Sequence, residues 1–253
     1  MDLKFTVVTV VYNAEKAIRK TIESVLKQTY APYEYIIVDG KSTDNTLQIV
    51  SEHEEKFAKK NIRLRIVSEK DTGIYNAMNK GVKLADGEFI SFLNAGDWYE
   101  EDALENINSF YQEDSFELAY GGLHYINPNG SITNKMSKNY ERGIVTSRHW
   151  NHPSMFLSAK LYKQYGFNEK FCAYADFDLY LKMRKKGVKI RVIDKVITNF
   201  VADGVSTNTN MKKVLRRAKE KYDAYRGNGY SVLYWVESYG WEVFKAIYFT
   251  IRS

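Results

Sequence analysis

The chain has 253 residues, of which 44% are hydrophobic, 15% aromatic and 27% charged, and its formal net charge is +6. So much core-forming material excludes a disordered or fibrous protein, and the length fits one large α/β domain with a short addition. The single cysteine, Cys172, excludes an internal disulfide and a cysteine-rich metal site. With no leader-like segment before Phe5, the sequence predicts a cytoplasmic protein.

The first hundred residues alternate between strand and helix patterns. Phe5 to Val11 is an uninterrupted β-branched run, and Glu15 to Gln28 then places its apolar residues at helical spacing. The elements predicted after them are a strand at 35–38, a helix up to 59 with Thr43 or Asp44 as N-cap, a strand at 62–67, a helix at 73–84 and a strand at 88–93. This alternation predicts a parallel sheet whose ligands bind at the carboxyl ends of the strands.

Polar turns follow three of these strands, at 9–13, 39–44 and 94–97. A carboxylate fixed at a strand end, such as Asp97, can hold Mg²⁺ or Mn²⁺ against a diphosphate. Asp39 and Asp44 stand where α/β nucleotide folds place a carboxylate against a ribose or a base. Simpler roles remain open, because Asp97 can cap the next helix and Asp44 can form an Asx turn.

The second half of the chain is less regular. From Leu118 onward, short apolar runs separated by glycines and by the turn at 127–130 predict hairpins, with a further break at Gly143. A strand at 155–157, a helix at 176–186 and a strand at 189–193 complete the predicted fold. Residues 1–207 are therefore predicted to form one catalytic domain, and residues 208–253 a C-terminal helical extension.

The extension carries most of the surplus charge. Residues 212–221 contribute +5 of the +6, and the aromatic-rich segment 230–251 follows them. This combination suits anionic headgroups and predicts a peripheral protein at the inner face of the cell membrane. Packing of the apolar helix faces on the catalytic domain, or on a second subunit of a homo-oligomer, explains the pattern equally well. No base-stacking motif accompanies the charge, so no nucleic-acid partner is expected.

Two aspartates, Asp176 and Asp178, begin a predicted helix in the segment YADFDLYL. A carboxylate at this position can take a proton from a substrate hydroxyl, or it can simply cap the helix. His152 is in the same way either a ligand or a structural histidine. No GxGxxG follows the first strand and no GxxxxGK[ST] occurs, which argues against a dinucleotide oxidoreductase and a P-loop phosphotransferase.

Five blocks of sequence occur in a fixed order. They are TVVTVVYNAE (6–15), YIIVDGKSTDNT (35–46), SEKDTGIYNAMNKGVKLADGEFISFLNAGD (68–97), HPSMF (152–156) and YADFDLYLKM (174–183). Together they resemble bacterial family 2 glycosyltransferases. The resemblance covers about 6–193 and implies the GT-A fold, an α/β fold with a Rossmann-like, mostly parallel central sheet flanked by helices, here with a C-terminal helical appendage.

The resemblance also implies a site for a nucleotide-diphosphate sugar, with a UDP-sugar as the expected donor. In that site Thr9, Val11 and Asn13 receive the uracil and ribose, and Asp39 contacts the nucleoside. The other implied contacts are Lys70, Asp71, Gly73, Asn76, Asn94 and Ala95, and Asn79 and Gly81 line the same side.

The segment NAGD aligns with the acidic metal-binding motif of the family. Because Asn94 and Gly96 stand where carboxylates are common, Asp97 is the one ionised ligand left in the motif, with His152 as a further implied ligand. We therefore expect Mg²⁺ or Mn²⁺ to bind with modest affinity, largely through the oxygens of the donor's diphosphate. Asp176 aligns with the catalytic aspartate, although Ala175 replaces the acid that usually precedes it.

These assignments predict an enzyme that transfers a sugar with inversion to a hydroxyl of a saccharide or lipid-linked saccharide, in cell-surface polysaccharide synthesis. Asp176 would act as the base. Because the metal motif retains one carboxylate, one alternative stays open, which is a non-catalytic protein that binds a nucleotide sugar.

Overall fold

The computed structural model describes residues 2–127, 129–138, 144–202 and 210–252, and only the backbone of 248–252. The chain divides into two compact units. The sheet unit comprises Met1–Gly166 and Lys189–Val201, and the helical unit comprises Phe167–Val188 and Ala202–Ser253. Gly143 and the predicted boundary between residues 207 and 208 lie outside the described residues. The division into a catalytic domain and an extension therefore stays a prediction.

The sheet unit contains all the strands of the described residues. They are β1 (Phe5–Val11), β2 (Glu34–Asp39), β3 (Arg63–Ser68), β4 (Phe89–Phe92), β5 (Trp98–Tyr99), β6 (Leu118–Ile126), β7 (Ile132–Lys135), β8 (Met155–Ser158) and β9 (Ile190–Val201). Its helices are α1 (Ile18–Leu26), α2 (Thr46–Ser51), α3 (Glu54–Lys59), α4 (Ile74–Leu84), α5 (Ala103–Glu113) and α6 (Ala159–Tyr165), with a short 3₁₀ turn at His152–Ser154.

Within the described residues the strands form one sheet in the order β3-β2-β1-β4-β8-β6-β9-β5, with β7 paired to β6. The neighbours β3, β2, β1 and β4 run parallel to one another. β8 is antiparallel to β4 and β6, whereas β6 and β9 are parallel. The predicted α/β class is confirmed, and the sheet is mixed, with four parallel strands at β1 to β4 and a further parallel pair formed by β6 and β9.

Burial explains why the first strands could be predicted. All seven residues of β1 are buried, so its apolar run needs no polar face. Helix α4 lies close to this strand, because a Cβ atom at Gly81 would come within 2.5 Å of Cγ1 of Val8. Gly81 therefore allows close packing of α4 on β1, and its implied place on the nucleotide side stays a prediction.

Three details of the sequence prediction were wrong. The helix predicted to run to residue 59 is broken between α2 and α3 at His53, whose buried ring places Nδ1 2.8 Å from the carbonyl oxygen of Ile49. β9 continues to Val201 because it pairs along its length with β6. The helix α6 was not predicted, since its seven residues are too few to show a clear period.

The helical unit consists of α7 (Ala175–Lys185), α8 (Met211–Gly227) and α9 (Tyr234–Arg252). α7 packs on α8 through Phe177 and Tyr225, whose rings meet edge to face at 5.3 Å. α8 and α9 are joined by buried ion pairs, which include Arg217–Glu242 at 2.7 Å. Over the described part of the chain, no helix combines the length and apolarity that a membrane span requires.

Candidate active site

The loops after β1 and β2 are tied together at the carboxyl edge of the sheet. The amide of Asn13 donates to Oγ of Ser42 at 2.8 Å, and the amide of Thr43 donates to Oδ1 of Asn13 at 2.8 Å. Asn13 has a φ of 48°, a left-handed conformation that asparagine tolerates better than most residues. Two of the polar turns found in the sequence therefore form one surface.

Asp39, the last residue of β2, holds the loop after β2 in place. Its carboxylate accepts hydrogen bonds from the amide of Ser42, at 3.1 and 3.2 Å, and from Oγ of Ser68 at 2.6 Å. The residue is fully buried. Asp39 thus joins the ends of β2 and β3, and its predicted contact with a nucleoside stays a prediction.

Asp44 organises the start of α2, although the N-cap position belongs to Asn45. Its Oδ1 accepts from the amide and the hydroxyl of Thr46, and its Oδ2 accepts from the amide of Glu15. Partial desolvation would raise the pKa of this carboxyl, but these hydrogen bonds hold the pKa below its ordinary value. The Asx turn is the role that the structure shows for Asp44.

Tyr12 is the functional candidate that the sequence reasoning missed. Tyr12 directly follows β1. Its side chain is 63% exposed, whereas the preceding residue, Val11, is buried. A Cβ atom at Gly40 would come within 2.6 Å of Oδ2 of Asp71 and 3.5 Å of Cδ2 of Tyr12. The loops after β1, β2 and β3 therefore converge on Gly40. An aromatic residue directly after an apolar central strand was the signal available in the sequence.

The segment between β3 and α4 contributes a mixed set of groups. Oδ1 of Asp71 accepts from the amide of Gly73, whose φ is 140°. The side chain of Lys70 is exposed, and its carbonyl oxygen accepts from Nζ of Lys80, which also pairs with Glu69 at 2.9 Å. Oδ1 of Asn76 lies 3.4 Å from the amide of Thr72. Asp71 and Gly73 thus shape the turn, and Lys70 supplies an exposed cation.

The side chain of Thr9 lies in the core beneath the loops, and its predicted contact with the nucleoside stays a prediction. Its Oγ1 donates to the carbonyl oxygen of Leu93 at 2.7 Å and lies 2.8 Å from the hydroxyl of Tyr35. The side chain is fully buried, and burial also raises the pKa of the Tyr35 hydroxyl. Thr9 therefore stabilises the core beneath the loops, because both of its hydrogen bonds are made to buried groups.

The turn Asn94–Asp97 is held by α1 and by β9. Oγ1 of Thr21 accepts from the amide of Gly96 at 2.9 Å and donates to the carbonyl oxygen of Asp97 at 2.8 Å. Oδ1 of Asp97 accepts from the amide of Val201 at 2.9 Å. Gly96 has a φ of 103°, which a side-chain-bearing residue rarely adopts. This backbone explains why no carboxylate occupies position 96.

The motif therefore offers oxygen ligands without a complete metal cage. Among the described residues, no three His, Cys, Asp or Glu side chains are grouped to hold a metal ion. Asp97 is only 4% exposed, whereas Oδ1 of Asn94 is buried and has no hydrogen-bond partner in the described parts of the chain. Mg²⁺ commonly binds through one or two protein oxygens together with substrate phosphates. A cation fits this motif when a diphosphate supplies most of its ligands.

His152 lies in an aromatic cluster. Its ring stacks on Phe92 with centroids 6.5 Å apart and lies 5.7 Å from the ring of Trp150. These contacts show a packing role, and metal binding by His152 stays a prediction.

Asp176 and Asp178 have distinct surroundings in the helical unit. Asp178 is 7% exposed, and its Oδ1 accepts from Nδ2 of Asn228 at 2.7 Å, so it joins α7 to the end of α8. Asp176 lies in the first turn of α7, where its Oδ1 accepts from the amide of Phe177 at 2.8 Å. Asp176 is half-buried and less enclosed than Asp178, so it is the better placed of the two for chemistry.

Comparisons with known proteins agree with this geometry. Residues 6–183 match the family described as Glycosyl transferase family 2. A hyaluronan synthase of Pasteurella multocida is 32% identical over 210 residues, which make up 80% of this chain and 21% of that protein. The chain thus spans about a fifth of the length of this relative.

Two solved structures share the fold. S. aureus TarS 1-349 in complex with UDP-GlcNAc has a TM-score of 0.65 at 20% identity, over 98% of this chain and 73% of that chain. The mannosyltransferase PcManGT from Pyrobaculum calidifontis, in complex with GDP-Man and Mn²⁺, has a TM-score of 0.68 at 16% identity. The match covers 100% of this chain and 75% of that chain. At such low sequence identities, these two matches show that this chain has the GT-A fold and carry no information about its substrates. The family match over most of the sequence shows that the chain belongs to glycosyl transferase family 2.

Proposed function

We propose that this chain transfers a sugar from a nucleotide-diphosphate donor to a hydroxyl of a saccharide or lipid-linked saccharide, in cell-surface polysaccharide synthesis at the cytoplasmic side of the membrane. The observation that carries the proposal is the convergence of three strand-end loops on Gly40, beside the exposed ring of Tyr12. Family membership and the nucleotide sugars bound by two proteins of the same fold support it. The UDP-GlcNAc in TarS favours a UDP-sugar as the donor.

The convergent loops suit a nucleoside and its diphosphate. The exposed ring of Tyr12 provides a surface on which a base can stack, which is worth about 1–3 kcal/mol for a base on an aromatic side chain. Asn13 adds an amide beside it, and the exposed Lys70 adds a cation suited to phosphate oxygens. Donor recognition then rests on stacking, hydrogen bonding and charge from three loops.

In the proposed reaction Asp176 takes the proton of the acceptor hydroxyl. The hydroxyl oxygen attacks the anomeric carbon on the face opposite the diphosphate, and the bond to the diphosphate breaks with its electron pair. This displacement inverts the anomeric configuration. A divalent cation held by Asp97 and Asn94 would neutralise charge on the leaving diphosphate.

Release of nucleoside diphosphate from a panel of UDP- and GDP-sugars tests the proposal, with oligosaccharide acceptors and added Mg²⁺ or Mn²⁺. Asp176→Asn should lower turnover on the order of 10²- to 10⁴-fold while donor binding persists, because only the base is lost. Asp194→Asn, which removes an exposed carboxylate on β9, is the matched control and should retain full activity. Undiminished turnover by Asp176→Asn would refute its role. Donor binding without any release by the wild-type chain would favour the non-catalytic alternative.

A further inference from the structure

Helix α9 is packed with its charged side inward. Glu242 is fully buried, and the side chains of Glu237 and Lys245 are only 10% and 18% exposed. Glu237 pairs with the buried Lys221 at 2.8 Å, and Glu242 pairs with Arg217 and Lys245, each at 2.7 Å. The polar residues of α9 are thus used to bind α8, the reverse of the usual amphipathic helix on a water-soluble core.

Several apolar side chains in and just before α9 are exposed. They are Val232 at 60%, Leu233 at 77%, Trp235 at 54%, Val236 at 65%, Phe244 at 57% and Ile247 at 54%. Within α9, Val236, Phe244 and Ile247 lie on one side of the helix, since at about 100° per residue they fall within about 80° of one another. We call these three side chains, together with Leu233 just before the helix, the apolar face. An exposed apolar surface of this kind marks a site of interaction.

Helix α8, which packs on α9, carries exposed basic side chains. Lys212, Lys213, Arg216 and Lys219 are all exposed, and Asp223 on the same helix is half-buried. Aromatic side chains of α9 accompany the apolar face, since the exposed Trp235 stacks on Tyr239 with ring centroids 5.3 Å apart. Amphipathic aromatic rings beside cations and apolar side chains are favoured at membrane interfaces.

We propose that the apolar face docks on the surface of a bilayer that contains anionic lipids, with α9 lying along the interface. The exposed cations of α8 complement anionic headgroups, and the side chains of the apolar face enter the acyl boundary. A second copy of this chain fits less well, because a two-fold interface would bring the basic residues of α8 near their own copies. The buried charges of α9 stay paired within the helical unit, so docking requires no rearrangement of the helix.

Flotation of the full chain with vesicles tests this proposal, using phosphatidylcholine with and without phosphatidylglycerol. The wild-type chain should float with the anionic vesicles, and Val236→Ser/Phe244→Ser should reduce vesicle binding by about tenfold or more, because two exposed apolar contacts are lost. Ile132→Ser/Ile144→Ser is the matched control, since both isoleucines are exposed in the sheet unit, at 61% and 66%. Lys212→Gln/Lys213→Gln should weaken binding to anionic vesicles and increase its sensitivity to salt.

Thermal denaturation of each variant establishes that it is folded. Failure of the wild-type chain to float with anionic vesicles would overturn the proposal, as would equal flotation of the α9 variant. A dimer that Val236→Ser/Phe244→Ser converts to monomer, with no flotation of the wild-type chain, would assign the apolar face to a second copy. Vesicle binding is measured without donor or acceptor, so its outcome is independent of the proposed transfer reaction.

Discussion

The buried pair between Lys221 and Glu237 provides a quantitative test of what holds α8 to α9. Lys221 is fully buried and its Nζ lies 2.9 and 2.8 Å from the two carboxylate oxygens of Glu237. The change Glu237→Gln keeps the shape of the side chain but leaves the ammonium without its counter-charge. Breaking a buried pair by removing one partner typically costs 3–5 kcal/mol, and the retained amide oxygen favours the lower end, about 3 kcal/mol.

Circular dichroism at 222 nm during heating measures this loss. At roughly 2–4 °C per kcal/mol for a chain of this size, the melting temperature should fall by roughly 6–12 °C. If the helical unit unfolds in a transition of its own, that transition alone should move. The control is Asp223→Asn, which breaks the exposed pair with Lys219 on the same helix and should cost less than about 1 kcal/mol. Equal shifts for the two variants would refute the reasoning.

The pH dependence of the variant has a definite sign. Burial lowers the pKa of Lys221, and the attraction of Glu237 opposes that shift, so Glu237→Gln should lower the pKa further. The unfolded chain then binds this proton more tightly than the folded chain does. Stability of the variant should therefore rise with pH between the folded pKa and the ordinary value of 10.5, by at most about 1.4 kcal/mol per pH unit. A stability of the variant that stays constant over this range would contradict a lowered pKa of Lys221 in the folded chain.

Two further predictions concern the sheet unit. Gly81→Ala should destabilise the protein by about 1–3 kcal/mol in urea unfolding, because the added Cβ meets Cγ1 of the buried Val8 at 2.5 Å and this clash outweighs the gain in helix propensity. The control is Gly240→Ala on α9, where the added Cβ meets no described atom within 4 Å outside the backbone of its own helix. This change should be neutral or stabilising. A loss of stability equal to that of Gly81→Ala would exclude the clash with Val8 as the cause. Chelation with EDTA should abolish sugar transfer, and millimolar Mg²⁺ or Mn²⁺ should restore it, since Asp97 is the one ionised ligand in the motif. Full activity in EDTA would show that the charge of the diphosphate is neutralised by protein cations instead.

Sequence patterns predicted the parallel part of the sheet well, for a physical reason. A strand such as β1, buried on both faces, must be apolar throughout, and that run is visible without any knowledge of its neighbours. The order of motifs likewise identified the family. By contrast, the roles of Thr9 and Asp97 depend on partners far along the chain, at Leu93 and Val201 respectively. No local pattern contains that information.

The orientation of α9 could not be predicted either. A helix with apolar residues on one side and charged residues on the other is normally expected to turn its apolar side inward. Here Lys221 and Arg217 of α8 provide counter-charges for Glu237 and Glu242, so the charged side can be buried instead. Only the pairing of two helices, which neither sequence segment reveals alone, decides between the two orientations.

The support that α8 and α9 give to the loop before α7 has a practical consequence for dissecting this protein. Glu220 accepts hydrogen bonds from the amides of Cys172 and Ala173, each at 2.9 Å, and Glu242 accepts from the hydroxyl of Tyr174 at 2.6 Å. A chain cut near residue 208 would lose all three anchors immediately before Asp176. Truncation therefore cannot separate the proposed lipid attachment from the proposed transfer reaction, and point changes on the outer side of α9 are the way to study either one alone.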